Sequence, residues 1–115
     1  MILYVDDQHR AAEFYAKVLG APPTLDVPGM TEFDLGGATL GLMPMQNILE
    51  FLPAVVTGQG QRCELYLRRP DADALLARAV AAGGQLLQPI SARTWGEDVG
   101  YALDADGHVL AVARA

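Results

Sequence analysis

The stretch Trp95-Gly96-Glu97-Asp98-Val99-Gly100-Tyr101-Ala102-Leu103-Asp104-Ala105-Asp106-Gly107-His108-Val109-Leu110-Ala111-Val112 reads as a loop, a strand, a tight turn and a closing strand. Tyr101 and Leu103 alternate with small residues, and Asp104-Ala105-Asp106-Gly107 carries turn chemistry, with glycine where positive φ is needed. Leu110 and Val112 then resume the period of two, so the stretch is a hairpin with one apolar face. The figure occurs once more upstream. Phe33 and Leu35 alternate with Glu32 and Asp34, Gly36-Gly37 makes the turn, and Leu40 and Leu42 return.

Each hairpin follows a matching strand and helix. Leu3-Tyr4-Val5 and Phe14-Tyr15-Ala16-Lys17-Val18-Leu19-Gly20 parallel Leu65-Tyr66-Leu67 and Leu75-Leu76-Ala77-Arg78-Ala79-Val80-Ala81-Ala82-Gly83. The offset is 62 from Leu3 to Leu65 and 63 from Gly20 to Gly83. The chain is therefore predicted to be one domain, 1–115, built as a repeat: unit one over about 1–45, a connection over about 46–61, and unit two over about 62–115.

Composition narrows the function classes. A 115-residue chain that is 51% hydrophobic suits one ordered domain. The net charge of −6 argues against nucleic acid as a partner, since that affinity rests on Lys and Arg meeting phosphates. No apolar run approaches the roughly 20 residues of a membrane span, and no secretory signal is expected. Cys63 is the single cysteine, which excludes an intrachain disulfide framework and fits a reducing, cytoplasmic setting.

Along the chain, Asp6-Asp7 ends the first strand and offers an N-cap. Ala11, Phe14, Tyr15 and Val18 form a helical stripe that turns His9 to solvent, and Leu19-Gly20 closes the helix. A short strand over Thr24–Val27 precedes the first hairpin, Thr31–Met45. The connection carries no period, yet Ile48, Leu49, Phe51 and Leu52 form an apolar cluster that needs a partner surface. Arg62–Leu67 is predicted as the fifth strand, with Cys63, Leu65 and Leu67 toward a helix whose stripe is Ala72, Leu75, Leu76, Ala79 and Val80. Gln85–Gln88 is a short strand, and Pro89–Asp98 a loop carrying Trp95.

This duplicated unit resembles the vicinal-oxygen-chelate superfamily of glyoxalases, extradiol dioxygenases and bleomycin-resistance proteins. The most specific matches are Tyr4-Val5-x-Asp7 with Phe14-Tyr15 and Leu19-Gly20, and Trp95-Gly96 with Asp104-x-Asp106-Gly107-His108. The resemblance implies an α+β fold of two tandem βαβββ units with two principal helices, whose open sheet faces curve into a cup. Strand parity under that geometry turns Tyr4, Glu32, Asp34, Thr39, Met43, Arg62, Glu64, Tyr66 and Ala111 to the cup. Trp95 serves either as a lid over core or as a ring stacked on ligand, and Met43 and Met45 either fill space or line a tolerant pocket.

In metal-dependent members of that superfamily, the first and fifth strands carry a His or Glu seven residues before the strand-end Asp, and each unit's last strand supplies a further ligand. Counted from Asp7 the first place falls before Met1, and counted from Arg69 the second falls on Arg62; the last-strand places are Gly41 and Ala111. None is a usable ligand, so no metal and no cofactor are expected. The resemblance then implies a metal-free protein that sequesters a planar aromatic antibiotic or related metabolite, as a homodimer in which copies share cups or exchange elements. The alternative is a metal-dependent glyoxalase-like lyase, isomerase or dioxygenase.

Overall fold

The structure is a computed structural model that describes residues 1–54, 58, 61 and 63–115. It divides into two compact units, Met1–Ala16 with Gly20–Gln59, and Lys17–Leu19 with Gly60–Ala115.

In the first unit, β1 (Ile2–Val5), β2 (Leu25–Val27), β3 (Met30–Asp34) and β4 (Thr39–Pro44) form a sheet in the order β1-β4-β3-β2. β1 runs parallel to β4 and the other pairs are antiparallel, so the sheet is mixed. Leu3, Thr31, Phe33, Leu40 and Leu42 lie on one face in register, and all are buried. The helix α1 (Gln8–Leu19) supplies the matching stripe of Ala11, Phe14 and Tyr15, also buried. Asp7 caps α1 by accepting from the Arg10 backbone N–H at 3.0 Å. Gln8 fixes where the helix starts: its Nε2 donates to Thr31 Oγ1 at 2.9 Å and to the Val27 carbonyl at 2.8 Å. The buried Thr31 hydroxyl in turn donates to Asp26, so no polar atom there is left without a partner.

A third helix, α2 (Met45–Phe51), takes up the start of the connection expected to be irregular over about 46–61, of which 55–57, 59 and 60 lie outside the described residues. It lacks a side-chain cap and buries only Ile48, leaving no 3.6-residue apolar period to read in seven residues.

In the second unit, β5 (Glu64–Arg69), β6 (Gln85–Ala92), β7 (Asp98–Leu103) and β8 (Val109–Arg114) form the order β5-β8-β7-β6, again with one parallel pair, β5 with β8. Leu65, Leu67, Leu110 and Val112 share the buried face with α3 (Ala72–Ala81) and its Ala72, Leu75, Leu76 and Ala79. Gly100 sits beneath that helix: a Cβ there would stand 2.7 Å from both Leu76 Cδ2 and Ile90 Cγ1, so only hydrogen fits. Val80, expected on the stripe, is exposed at its margin.

Three sequence expectations change here. The fifth strand begins at Glu64, not 62, and Cys63 just before it is an exposed free thiol instead of a buried hydrophobe facing the helix. Arg62 lies outside the described residues. β6 runs on through Pro89 to Ala92, shortening the loop expected over Pro89–Asp98. Proline is tolerated because β6 is an edge strand whose register shifts on both sides of Gln88. Among the described residues, no helix is long and apolar enough to cross a membrane.

Candidate functional site

The sheet of the second unit has a second face, opposite α3. Alternation along β5 places Glu64, Tyr66 and Arg68 there, and the register sets Tyr66 and Tyr101 on either side of Ala111. Ala111, Ala113 and Val99 form its floor, each 0% exposed, with Tyr66 and Tyr101 packed against them.

Above this floor stands a bonded cluster. Tyr66 donates its phenol O–H to Glu97 Oε2 at 2.7 Å, and Arg68 donates from Nε and Nη2 to Glu97 Oε1 at 3.0 and 2.9 Å. The Arg68 guanidinium also lies 5.0 Å from the centre of the Tyr66 ring. Trp95 completes the cluster, its indole N–H donating to the Tyr66 oxygen at 3.2 Å while the residue remains 56% exposed. Arg93 repeats the pairing, lying 5.1 Å from the Tyr101 ring centre with its N–H groups on the Val99 carbonyl.

The loop between β6 and β7 holds Trp95 and Glu97 in place. Arg93 N–H donates to the Glu97 carbonyl at 2.8 Å and Gly96 N–H to the Arg93 carbonyl at 3.1 Å, with Gly96 at φ 93°. The electrostatics follow the bonds. The Arg68 hydrogen bonds, and then that of Tyr66, hold the Glu97 carboxyl below its ordinary range, so it stays ionised. Desolvation pushes the Tyr66 phenol up, against the opposing hydrogen bond from Trp95, so it stays a neutral donor.

Of the residues expected from the sequence, Tyr66, Trp95 and Ala111 come together here, although Ala111 is floor and reaches no solvent. Glu64 is exposed one row away, paired with Val109 and outside the cluster. Tyr4, Glu32, Thr39 and Met43 lie on the open face of the first sheet, where Tyr4 pairs with Met43 and Glu32 with Gly41. Asp34 is partly spent on its own turn, accepting from the Gly36 N–H at 2.8 Å. Glu97, Arg68, Tyr101 and Arg93 were not foreseen. Arg68 was within reach, since it follows Tyr66 by two on the same face.

The strand registers also revise the ligand count. Asp7 and Asp71 are equivalent helix starts, accepting at their carbonyls from Ala11 and Leu75, and the pair Ile2–Gly41 corresponds to Tyr66–Ala111. At the first strand and helix start the repeat offset is thus 64, from Ile2 to Tyr66 and from Asp7 to Asp71, while the helix-ending glycines Gly20 and Gly83 keep 63. Seven residues before Asp71 lies Glu64, so the second unit's first-strand place holds a carboxylate instead of Arg62.

At the superfamily's ligand places the described residues offer few donors. Gly41 has no side-chain donor, and a Cβ there would stand tightly at 3.1 Å from Ile2 Cγ1 and 3.2 Å from Met30 Sδ. Ala111 offers a methyl group, so of the places Gly41, Glu64 and Ala111 it is Glu64 that carries a donor, where a metal requires several converging ones. A different group, Asp104, Asp106 and His108, brings one donor atom each to within 4.8 Å. Its carboxylate is engaged in the turn: Asp104 Oδ1 accepts from the backbone N–H groups of Asp106 and His108, both at 2.9 Å, and Oδ2 meets His108 Nδ1.

Known proteins agree with this architecture. No curated protein matches the chain. A glyoxalase-related enzyme from Fulvimarina pelagi is 31% identical over 100% of this chain and 85% of its own, with a TM-score of 0.87. A glyoxalase/bleomycin resistance protein/dioxygenase family enzyme from Burkholderia phytofirmans PsJN, 19% identical over 99% of this chain and 94% of its own, shares the fold at TM-score 0.85. TioX from Micromonospora sp. ML1, 21% identical over 99% and 94%, does so at 0.68. The model of the Glyoxalase/Bleomycin resistance protein/Dioxygenase superfamily matches residues 1–112, and the chain belongs to that superfamily.

Proposed function

We propose that the protein is a metal-free, cytoplasmic binder of planar aromatic molecules, of the kind that sequesters an antibiotic or related metabolite without transforming it. One observation carries this reading: Trp95 is 56% exposed, yet its ring is tied through Tyr66 to a bonded cluster over an apolar floor. An exposed indole held in one orientation presents a flat apolar surface with little ordering cost on binding. Tyr66 and Tyr101 stand beside it, packed on the floor with Arg68 and Arg93 over their rings. The binder acts as a homodimer, with Leu49, Phe51 and Leu52, all exposed on and just after α2, covered by a second copy.

Trp95 is the only tryptophan, so its fluorescence reports binding directly. Titration with planar intercalator-type antibiotics should change it with the compound recovered intact, and Trp95→Ala should weaken binding by about 1–3 kcal/mol. The second reading, a metal-dependent lyase, isomerase or dioxygenase, has Glu64 in its favour, a carboxylate at a ligand place of the superfamily. Turnover of a small dicarbonyl or catechol with Trp95 silent would put that reading first.

A further inference from the structure

On the second unit's open face, the Glu97 carboxylate stands in front of the Arg68 guanidinium and accepts from it. Arg68 aims Nε and Nη2 at a single oxygen, Glu97 Oε1, while its Cζ lies 5.0 Å from the centre of the Tyr66 ring. A guanidinium fork beside an aromatic platform is the arrangement that recognises a flat ring bearing a carboxylate, because the fork takes the anion and the platform takes the ring. In this protein the anion is already present within the chain. The Glu97 side chain is only 25% exposed, against 65% for Arg68, and Tyr66 holds its other oxygen at 2.7 Å. Displacing it would require three charge-assisted or neutral hydrogen bonds to break together, two from Arg68 and one from Tyr66.

We infer that Glu97 is a specificity-determining residue: an internal carboxylate that excludes anionic aromatic compounds from this face and leaves it to neutral or cationic ones. The inference rests on the proposed binding of planar aromatics. Discrimination of this type comes from repulsion of the wrong ligand as much as from attraction of the right one. Arg93 does not substitute for Arg68, since its Nε and Nη2 are bonded to the Val99 carbonyl.

Equilibrium dialysis of the full chain against naphthylmethanol and naphthoate, two probes with one ring system and different charge, tests it. Wild type should bind naphthylmethanol more tightly. Glu97→Gln should strengthen naphthoate binding about tenfold while changing naphthylmethanol by about twofold or less, and adding Arg68→Gln should abolish the gain, because the freed fork is its source. Glu13→Gln, which removes one charge from an exposed site on α1, should leave the ratio of the two affinities unchanged. An unchanged ratio in Glu97→Gln, or a gain that survives in the double variant, overturns the inference while naphthylmethanol binding that responds to Trp95→Ala keeps the broader reading intact. Failure of both probes to bind any variant, with Trp95 fluorescence silent, overturns both.

Discussion

Asp7 and Asp71 stand at equivalent helix starts, yet their side chains have different partners. Asp7 accepts from a backbone N–H of the first turn, whereas Asp71 accepts from Arg78 at 2.9 Å and Arg69 at 3.0 Å and has no capping bond. Chiefly the Arg78 hydrogen bond, and then that of Arg69, hold the Asp71 carboxyl below its usual range. A carboxyl depressed in the folded state adds stability above the unfolded value of ~3.9, and that stability is lost as pH falls through the lower folded value. Asp71→Asn should therefore be less stable than wild type at neutral pH, with the difference shrinking below pH ~4, read from denaturant midpoints across pH. Tyr66 and Trp95 were legible in the sequence from strand parity and from a lone aromatic in a loop. Glu97 was not. Its partners lie 31 residues away at Tyr66 and 29 at Arg68, and only the bend of the β6–β7 loop brings them together.

The hairpins and helices α1 and α3 were readable because their large apolar residues recur with the period of the element: Leu40 and Leu42, like Leu110 and Val112, fall two apart on the buried face toward a helix, while the residue between them is small. α2 and the far end of β6 lacked that signal, one burying a single residue and the other lying exposed along nearly its whole length. The fifth strand was displaced because Leu65-Tyr66-Leu67 resembles Leu3-Tyr4-Val5 locally, while the register equates Tyr66 with Ile2. At this scale Gly100 is the sharpest test of how α3 meets its sheet. Gly100→Ala pushes a methyl into Leu76 and Ile90 and should cost about 1–3 kcal/mol in thermal or chemical unfolding. A neutral substitution would mean that the helix stands farther from β7 than 2.7 Å contacts imply.

For the whole molecule, the superfamily and the βαβββ repeat are legible from turns and offsets, but the local likeness of Leu65-Tyr66-Leu67 to Leu3-Tyr4-Val5 points the ligand place to Arg62, two residues before Glu64. Elemental analysis of the purified protein should find no stoichiometric zinc, nickel, manganese or iron, since Gly41 and Ala111 contribute no donor. About one such ion per chain would contradict this. Sedimentation should show a homodimer at micromolar concentration, weakened by Phe51→Asp, because Phe51 is 62% exposed and a carboxylate there would be desolvated at an interface. The binding claim is tested most directly by nuclear magnetic resonance of the protein titrated with a planar intercalator-type antibiotic. Trp95 gives one indole N–H resonance, hydrogen-bonded to Tyr66, and it should shift together with amides of Tyr66, Glu97, Tyr101 and Ala111. Shifts confined to the groove between α3 and β6, lined by Leu76, Val80, Leu86 and Ile90, or no shift at Trp95, would contradict it.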